Sequence, residues 1–183
     1  MPLRRIHTYP DPVLKAPALP VTTIDGTIAA LAEDMAETMY AAPGIGLAAP
    51  QVGVAQRVIV LDVHQADELP GKHLLKLVNP VIAEREGSVT FEEGCLSVPD
   101  FTAPVVRAQR VLVRAWTPEE REIALEAEGL LAVALQHEID HLDGKLFLDR
   151  ISRLKRELYR SRQKKLDRQG REGGTASRRV PVI

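Results

Sequence analysis

Residues 129–142 of this 183-residue chain read Gly-Leu-Leu-Ala-Val-Ala-Leu-Gln-His-Glu-Ile-Asp-His-Leu. Wound into a helix, this stretch has apolar side chains around nearly its whole circumference rather than along one stripe. A helix that is apolar on most faces is buried in the core of a protein. Gly144 follows shortly afterwards and is a suitable residue to end the helix. The stretch therefore predicts a buried helix at the centre of the fold.

This helix carries the motif His137-Glu138-Ile139-Asp140-His141. Residues four apart on a helix share a face, so His137 and His141 can bind one metal ion. Glu138 lies about 100° further around the helix, where it can reach a water molecule on that ion. The alternative is a pair of hydrogen-bonded core histidines beside a surface glutamate. Charged and imidazole groups in an apolar helix are costly unless they are paired or bind something, which favours the metal.

A hydrolytic metal site needs a third protein ligand and an open position for water. A metzincin would have a glycine and then a third histidine after the motif; Gly144 is present, but Phe147 occupies the histidine position. A thermolysin-like enzyme would use a glutamate from a later helix, and only Glu157 and Glu172 follow, in a basic segment and in the tail. The remaining candidate is Cys95, because a thiolate is a strong ligand for divalent metals.

Two glycine-containing segments complete the set of candidate functional motifs. Residues 93–99 read Glu-Gly-Cys-Leu-Ser-Val-Pro, and Gly94 lets the backbone approach a metal or ligand closely. Residues 44–51 read Gly-Ile-Gly-Leu-Ala-Ala-Pro-Gln, and Gln51 offers an amide donor on a rigid stretch after a proline. Taken alone, the second segment is typical of a loop between a helix and a strand.

The rest of the chain predicts a mixture of helices and strands. We expect a helical turn at 13–16, an amphipathic helix at 25–40, strands at 57–62 and 74–78, an extended segment at 81–91 broken near Gly87, a hairpin of 110–115 with 121–128, and a basic helix at 149–168. Residues 1–168 are expected to form one catalytic domain. Residues 169–183 are expected to be a disordered tail, because they are rich in glycine, serine and arginine.

The composition points to a cytoplasmic protein. Apolar residues make up 45% of the chain, charged residues 27%, and the net charge is −1. These values are ordinary for a globular protein and give no whole-molecule attraction for DNA or an anionic membrane. A single cysteine excludes an intrachain disulfide and fits a reducing compartment. The N-terminus does not resemble a secretory signal, and no apolar run approaches the ~18 residues of a membrane span.

The three segments, in this order, resemble the three signature motifs of the peptide deformylase family: residues 44–51, 93–97 and 136–141. The resemblance spans roughly Ile6 to Arg168. It implies an α+β fold with antiparallel or mixed β-sheets around a buried central helix that carries the His-Glu-x-x-His motif, plus a C-terminal helix. It also implies the activity, which is removal of the formyl group from the N-terminal formylmethionine of nascent polypeptides, with release of formate.

The resemblance further implies a role for each motif residue. One divalent ion, ferrous iron in the cell with zinc or nickel able to replace it, would be held by Cys95, His137 and His141. A water molecule activated by the ion would attack the formyl carbon, with Glu138 as general acid and base. Charge developing on the formyl oxygen would meet the metal, the Gln51 side chain and the Leu96 backbone N–H.

Substrate binding is implied in the same way. The methionine side chain would enter an apolar pocket lined by Ile45, Leu130, Val133, Ala134 and the stem of Glu93. The peptide backbone would add as a strand beside Ile45 and Gly46 on one side and Gly94 on the other. Preference beyond the first substrate residue stays open.

Two other functions are compatible with parts of the sequence. A metallopeptidase would use the same helix motif, but Phe147 replaces its third histidine. A non-catalytic module with a structural metal could bind RNA through the basic C-terminal helix. Structural sites usually surround the metal with four protein ligands, whereas this sequence offers three good ligands plus a glutamate and a glutamine that such a site would not need.

Positive charge is concentrated near the C-terminus, in Arg150, Arg153, Lys155, Arg156, Arg160, Arg162, Lys164, Lys165, Arg168 and Arg171. Only Glu157 and Asp167 oppose it within residues 150–171. One interpretation is a solvated helix that covers the core with Ile151, Leu154 and Leu158. The other, which the basic C-terminal helices of similar family members favour, is docking on ribosomal RNA near the exit tunnel.

Overall fold

The computed structural model describes residues 3–63 and 70–170, with side chains described up to Lys165 in the last helix. The helices and strands are α1 (Gly26–Ala41), β1 (Gly46–Ala48), β2 (Val58–Leu61), β3 (Leu75–Glu86), β4 (Val89–Cys95), β5 (Val98–Arg107), β6 (Arg110–Trp116), β7 (Glu122–Glu128), α2 (Gly129–Leu142) and α3 (Arg153–Gly170). Short 3₁₀ turns lie at Pro12–Lys15, Ala49–Val52 and Phe147–Asp149. The α+β class expected from the sequence is confirmed.

The strands form two antiparallel sheets. The larger sheet has the order β1-β2-β3-β6-β7, and the smaller one pairs β4 with β5. The hairpin predicted from the alternating pattern is β6 and β7, with Val113 opposite Leu125. β1 lies at an edge of the larger sheet, with Gly46 opposite Leu61 on β2. Within residues 3–63 and 70–170, each strand of the smaller sheet also has one side without a partner strand.

The helix α2 packs against the larger sheet, as its apolar sequence predicts. Its buried side chains share one core cluster with Ile59, Leu61, Leu77, Val111 and Val113 of the sheet. The chain leaves the helix through Gly144, whose φ of +69° is in the left-handed region that favours glycine. A Cβ there would lie 2.5 Å from the carbonyl oxygen of Lys15, so the close approach of the N-terminal segment also requires glycine.

The helix α1 matches the predicted amphipathic helix. Asp25 caps it by accepting hydrogen bonds from the backbone N–H groups of Thr27 and Ile28. The apolar positions that predicted the helix are buried with strand β2: Ile28, Leu31, Met35 and Met39. The helix therefore packs against Leu47 of β1 and Val58 and Val60 of β2, and together these residues form a second core cluster.

Strand β5 was not predicted, because Pro99 and Pro104 argue against a central strand. The structure accommodates both prolines in a two-stranded sheet, where β5 pairs only with β4. The predicted segments 74–78 and 81–91 have different boundaries, since β3 continues through Pro80 to Glu86. The break at Gly87 is confirmed, with a φ of +65°.

The C-terminal helix begins at Arg153 rather than at residue 149, because Phe147–Asp149 forms a 3₁₀ turn, and it continues to Gly170. Leu154 and Leu158 are 71% and 61% exposed, so the expectation that they cover the core is wrong. Ile151 is buried as expected, and Tyr159 supplies the second contact with the core. The predicted tail lies outside the described residues from position 171 onward. None of the described helices is long and apolar enough to cross a membrane.

Candidate metal centre

The end of β4 and the middle of α2 meet in the interior of the protein. Cys95 is the last residue of β4, and His137 and His141 lie one turn apart on α2. All three side chains are buried, and their candidate ligand atoms lie within 4.8 Å of one another. Segments that are far apart in the sequence are therefore brought together as the motif spacing predicts.

These residues fit a divalent metal ion. His137 donates or accepts only through Nδ1, and its buried Nε2 has no hydrogen-bond partner among the described residues. The Sγ atom of Cys95 lies 3.2 Å from Nε2 of His141. A buried polar atom without a partner is costly, and a metal ion would remove that cost. One thiolate with two imidazoles suits zinc, iron or nickel rather than magnesium or calcium.

Burial sets the protonation of two of these ligands in the absence of a metal. Burial, and then the negative charge of Glu138, raise the pKa of the Cys95 thiol well above its usual range. Burial also lowers the pKa of His141 well below its usual range, which keeps the ring neutral as a metal ligand must be. A bound cation reverses the effect on the thiol, because a coordinating thiol loses its proton.

Glu138 is buried next to the candidate ligands, and neither carboxylate oxygen has a hydrogen-bond partner among the described residues. Burial and the negative charge of Glu93 raise the pKa of Glu138 well above its usual range. A carboxyl group with a raised pKa binds a proton more readily, which suits a group that takes up and then releases one. The expectation of a surface glutamate, which belonged to the alternative interpretation of the motif, is therefore wrong.

The Gln51 side chain is held in one orientation. Its Oε1 accepts a hydrogen bond of 2.8 Å from the backbone N–H of Ala48, which fixes the amide so that Nε2 points the other way. That nitrogen lies 3.1 Å from Oγ of Ser97 and 3.7 Å from Sγ of Cys95. The loop motif therefore delivers an amide donor to the edge of the metal centre. Leu96, beside it, is half-buried.

A sequence profile described as polypeptide deformylase matches residues 3–157. The peptide deformylase of Alkalilimnicola ehrlichii is 53% identical over 171 residues, which cover 93% of this chain and 94% of that protein. The peptide deformylase of Thermodesulfovibrio yellowstonii is 51% identical, covering 90% of this chain and 98% of that protein. The crystal structure of a peptide deformylase from Legionella pneumophila has a TM-score of 0.85 and 43% identity, covering 94% of this chain and 100% of that chain.

This chain belongs to the peptide deformylase family. Members of the family are hydrolases that remove the N-formyl group from nascent peptides, so the enzyme class and the activity expected from the three motifs are confirmed. The metallopeptidase and the non-catalytic metal module are excluded by the same comparisons.

Sequence reasoning assigned Glu93 to the substrate pocket and missed its contact with His137. The Glu93 carboxylate lies 2.8 Å from Nδ1 of His137 and is fully buried. Both of its oxygens also accept hydrogen bonds from Arg107, at 2.6 Å from Nε and 2.8 Å from Nη2. Burial acts to raise the pKa of Glu93, but the bonds to Arg107 and His137 outweigh it and the pKa is lowered. The expected role of Glu93 in lining a substrate pocket remains a prediction.

The burial of Arg107 follows from the alternation of side chains along β5. On β5 the buried positions include Ala103 and Val105, so the alternation of the strand turns Arg107 inward as well. Its Nη1 donates a hydrogen bond of 2.5 Å to Asp140 on α2. Asp140 also accepts two bonds from Arg150, beyond the end of the helix. Asp140, which lies between the two histidines of the motif, therefore forms ion pairs with Arg107 and Arg150.

The predicted substrate-binding residues lie at two levels of burial. Ile45 and Leu130 are half-buried, and Gly46 and Gly94 are buried backbone positions beside the metal centre. Val133 and Ala134 are fully buried in the core cluster that Ile45 packs against. The pocket for the methionine side chain stays a prediction, with Ile45 and Leu130 at its accessible side.

Proposed function

We propose that this peptide deformylase holds one divalent ion through Cys95, His137 and His141, and that Glu138 transfers the proton during hydrolysis of the formyl amide. The observation that carries the proposal is the buried Glu138 carboxylate, which has no hydrogen-bond partner among the described residues and lies beside the candidate ligands. A buried carboxyl group without a partner destabilises the folded state, and groups of this kind are concentrated at catalytic sites.

When bound, a divalent ion supplies Lewis acidity, which makes water nucleophilic near neutral pH and polarises the formyl oxygen. We infer that ferrous iron fills this role in the cell and that zinc or nickel can replace it. The donor set of one thiolate and two imidazoles supports these metals over the hard cations.

Glu138 performs the proton transfers of the reaction. It takes the proton from the water whose oxygen bonds to the formyl carbon. The carbon–nitrogen bond then breaks, and Glu138 passes that proton to the departing amine. The products are formate and a peptide with a free N-terminal methionine. The raised pKa of Glu138, caused first by burial and then by Glu93, supports this double role.

Negative charge on the formyl oxygen is stabilised by donors that are already in position. The Gln51 amide is fixed by its bond to the Ala48 N–H, so Nε2 needs no reorientation when charge develops. The Leu96 backbone N–H, which follows the ligand Cys95, is the second donor. Donors arranged in advance lower the barrier more than donors that must reorganise.

The substrate backbone lies between two strand edges. β1 is an edge strand of the larger sheet, and β4 pairs with one strand, β5, in the part of the chain that the structure describes. A peptide can therefore pair with Ile45 and Gly46 on one side and Gly94 on the other, which is strand addition. The methionine side chain enters the pocket formed by Ile45, Leu130, Val133, Ala134 and the Glu93 stem.

The cellular setting completes the proposal. Residues 1–168 act as one catalytic domain in the cytoplasm, on nascent chains at the ribosome. Helix α3 is the docking element, because Leu154 and Leu158 are exposed among basic side chains rather than packed on the core. On such a surface the basic side chains can bind RNA phosphates, and the exposed leucines can make apolar contacts next to them.

The proposal is tested by measuring formate release and peptide products with the iron-loaded enzyme under anaerobic conditions. The substrates are a formyl-Met tripeptide, its acetylated counterpart and the same tripeptide unblocked. We expect formate from the first and no cleavage of the other two. Cleavage of an internal peptide bond, or equal turnover of formyl and acetyl groups, would contradict the proposed site.

A further inference from the structure

An unbroken series of charged hydrogen bonds runs from the surface to the candidate ligand His137. Arg150, which is 39% exposed, contacts Asp140 through two bonds of 2.5 Å. Asp140 accepts a hydrogen bond of 2.5 Å from Nη1 of Arg107, and Arg107 also donates hydrogen bonds to both carboxylate oxygens of Glu93. Glu93 then contacts Nδ1 of His137 at 2.8 Å.

Arg107 is the centre of this series. Its guanidinium joins Glu93 on β4 to Asp140 on α2, so it crosslinks the two elements that carry the candidate metal ligands. The side chains of Arg107 and Glu93 are 1% and 0% exposed. A planar guanidinium donates two parallel bonds to a carboxylate, which fixes the angle of that carboxylate as well as its position.

Such a geometry determines which nitrogen of His137 is available. A carboxylate that accepts from Nδ1–H holds the imidazole in the tautomer whose Nε2 carries a lone pair. Nε2 of His137 is the buried atom without a partner among the described residues. The orientation of that lone pair therefore depends on Glu93, and the orientation of Glu93 depends on Arg107.

We propose that Arg107 is a positioning residue of the metal centre, which aims His137 at the metal through Glu93 while Asp140 and Arg150 hold Arg107 in place. The inference rests on the proposed metal ligands. It gives the arginine at the inward-facing end of β5 a role that the three sequence motifs do not include. Arg107 contacts neither metal nor substrate in this role.

The alternative is that Arg107 only stabilises the fold, as a buried ion pair between β4 and α2. Both roles predict a less stable variant, so stability does not separate them. The rate at which the metal leaves the folded protein does separate them, because it depends on how well the ligands are aimed. The absorption spectrum of a bound cobalt ion also reports the ligand geometry directly.

The test uses the full chain loaded with Co²⁺, without substrate, well below its unfolding temperature. The variants are Arg107→Lys, which keeps the charge but loses the paired donors, Glu93→Gln, and the double variant. The control is Arg57→Lys, since Arg57 pairs with Asp143 at 2.9 Å beside the same helix but outside the series to His137. Cobalt release to a chelator and the visible spectrum are measured on each.

We expect cobalt release to accelerate by about 10- to 100-fold in Arg107→Lys, because losing a partner behind a metal ligand usually weakens metal affinity by that factor. Glu93→Gln should give a similar change, and the double variant should be little worse than either, because both act through one bond to His137. Arg57→Lys should match the wild type. A wild-type release rate and spectrum in Arg107→Lys, or fully multiplicative effects in the double variant, would overturn the proposal.

Two further measurements keep the outcomes distinct. If Arg107→Lys does not fold, Arg150→Lys and Asp140→Asn loosen Arg107 from its far side, and unchanged cobalt release in both overturns the proposal equally. If the wild-type chain shows no thiolate–cobalt absorption band, then the proposed ligand set has failed rather than the positioning role. If the wild type shows this band and every variant releases cobalt as slowly as the wild type, then the ligand set stands and only the positioning role of Arg107 is contradicted.

Discussion

The carboxylate of Glu138 packs against the backbone of Gly46 so closely that a Cβ at Gly46 would overlap it. Gly46 begins the edge strand β1, and Glu138 lies on α2, so this contact joins the first and third sequence motifs. It explains the second glycine of the 44–51 segment by space rather than by backbone conformation, since Gly46 is not among the residues with positive φ.

Gly46→Ala is therefore expected to displace the Glu138 carboxylate and reduce deformylation. Inserting a methyl group into a packed site typically costs about 1–3 kcal/mol, and a displaced base loses activity in addition. Kinetics of formate release should show kcat falling by at least about 10-fold, which corresponds to roughly 1.4 kcal/mol. Gly26→Ala is the matched control, because a Cβ there meets nothing within 4 Å. Equal activity of the two variants would show that Glu138 can move without consequence.

Glu138→Gln is expected to retain the fold and the bound metal while losing most of the activity. The amide has nearly the same shape but cannot accept a proton, and general acid–base groups contribute about 10²- to 10⁴-fold to rate. Metal content and circular dichroism should match the wild type, and formate release should not. Glu126→Gln, an exposed change on β7, provides the control. Turnover of Glu138→Gln near the wild-type level would show that Glu138 does not transfer the proton.

The central helix and the candidate metal ligands could be predicted because their sequence signals are local. The residues 129–142 are apolar on most faces, and α2 has the predicted bounds. The positions of His137, His141 and Cys95 follow from the motifs. The roles of Arg107 and Asp140 could not be predicted in the same way, because an ion pair between a strand and a helix depends on how they pack. Even if β5 had been predicted, the alternation of Ala103, Val105 and Arg107 would have indicated that Arg107 is buried but not which residues it contacts.

Cys95→Ala is expected to lose metal affinity as well as activity, because the thiolate is one of only three proposed protein ligands. Elemental analysis after dialysis should show substoichiometric metal in the variant and full occupancy in the wild type. The iron form of the wild type should also lose activity in air, since thiolates and ferrous iron are both open to oxidation. The zinc form should persist longer, because zinc has no redox chemistry. Full occupancy in Cys95→Ala would place the third ligand elsewhere.

Asp149→Asn is expected to lower stability in a way that depends on pH. Asp149 accepts hydrogen bonds from Lys15 at 2.5 Å and from the Leu146 N–H at 2.9 Å. Burial acts to raise the pKa of Asp149, but these bonds outweigh it and hold the pKa below the ordinary 3.8. A lowered pKa in the folded state stabilises the protein above the unfolded-state pKa. That contribution is lost as pH falls through the folded-state pKa.

Urea unfolding should therefore show Asp149→Asn to be less stable by about 1 kcal/mol at pH 7, the usual value of such hydrogen bonds. The difference between variant and wild type should shrink as the pH falls below the ordinary carboxyl value. Glu126→Gln serves again as the exposed control and should show little difference from the wild type at either pH. A difference that grows towards acid pH would mean that the Asp149 contacts are absent in solution.

A test of the proposed ribosome-docking role of α3 calls for substitutions rather than a deletion. Tyr159 is buried and packs with Phe101 at a ring-centroid distance of 4.8 Å, so a truncation at that residue would damage the core as well as the surface. Four exposed basic residues of α3 in no ion pair with the described side chains suit this change: Arg153, Lys155, Lys164 and Lys165. Arg162 is also exposed but is left unchanged, because it donates a hydrogen bond of 3.1 Å to the backbone carbonyl of Asp100. Changing the four residues to glutamine removes charge and leaves the Tyr159 contact intact.

This α3 variant should sediment with ribosomes less well than the wild type, and the loss should be largest at low salt. Each phosphate contact removed is expected to reduce the slope of log affinity against log salt by about 1. Hydrolysis of a free formyl-Met tripeptide should remain unchanged, because the proposed site residues all precede Asp143. A control with the same loss of charge on other elements is Arg85, Arg114, Arg121 and Lys145 changed to glutamine. If the control loses as much ribosome binding as the α3 variant, net charge rather than the helix governs the association. If neither variant loses any, α3 is only a solvated surface.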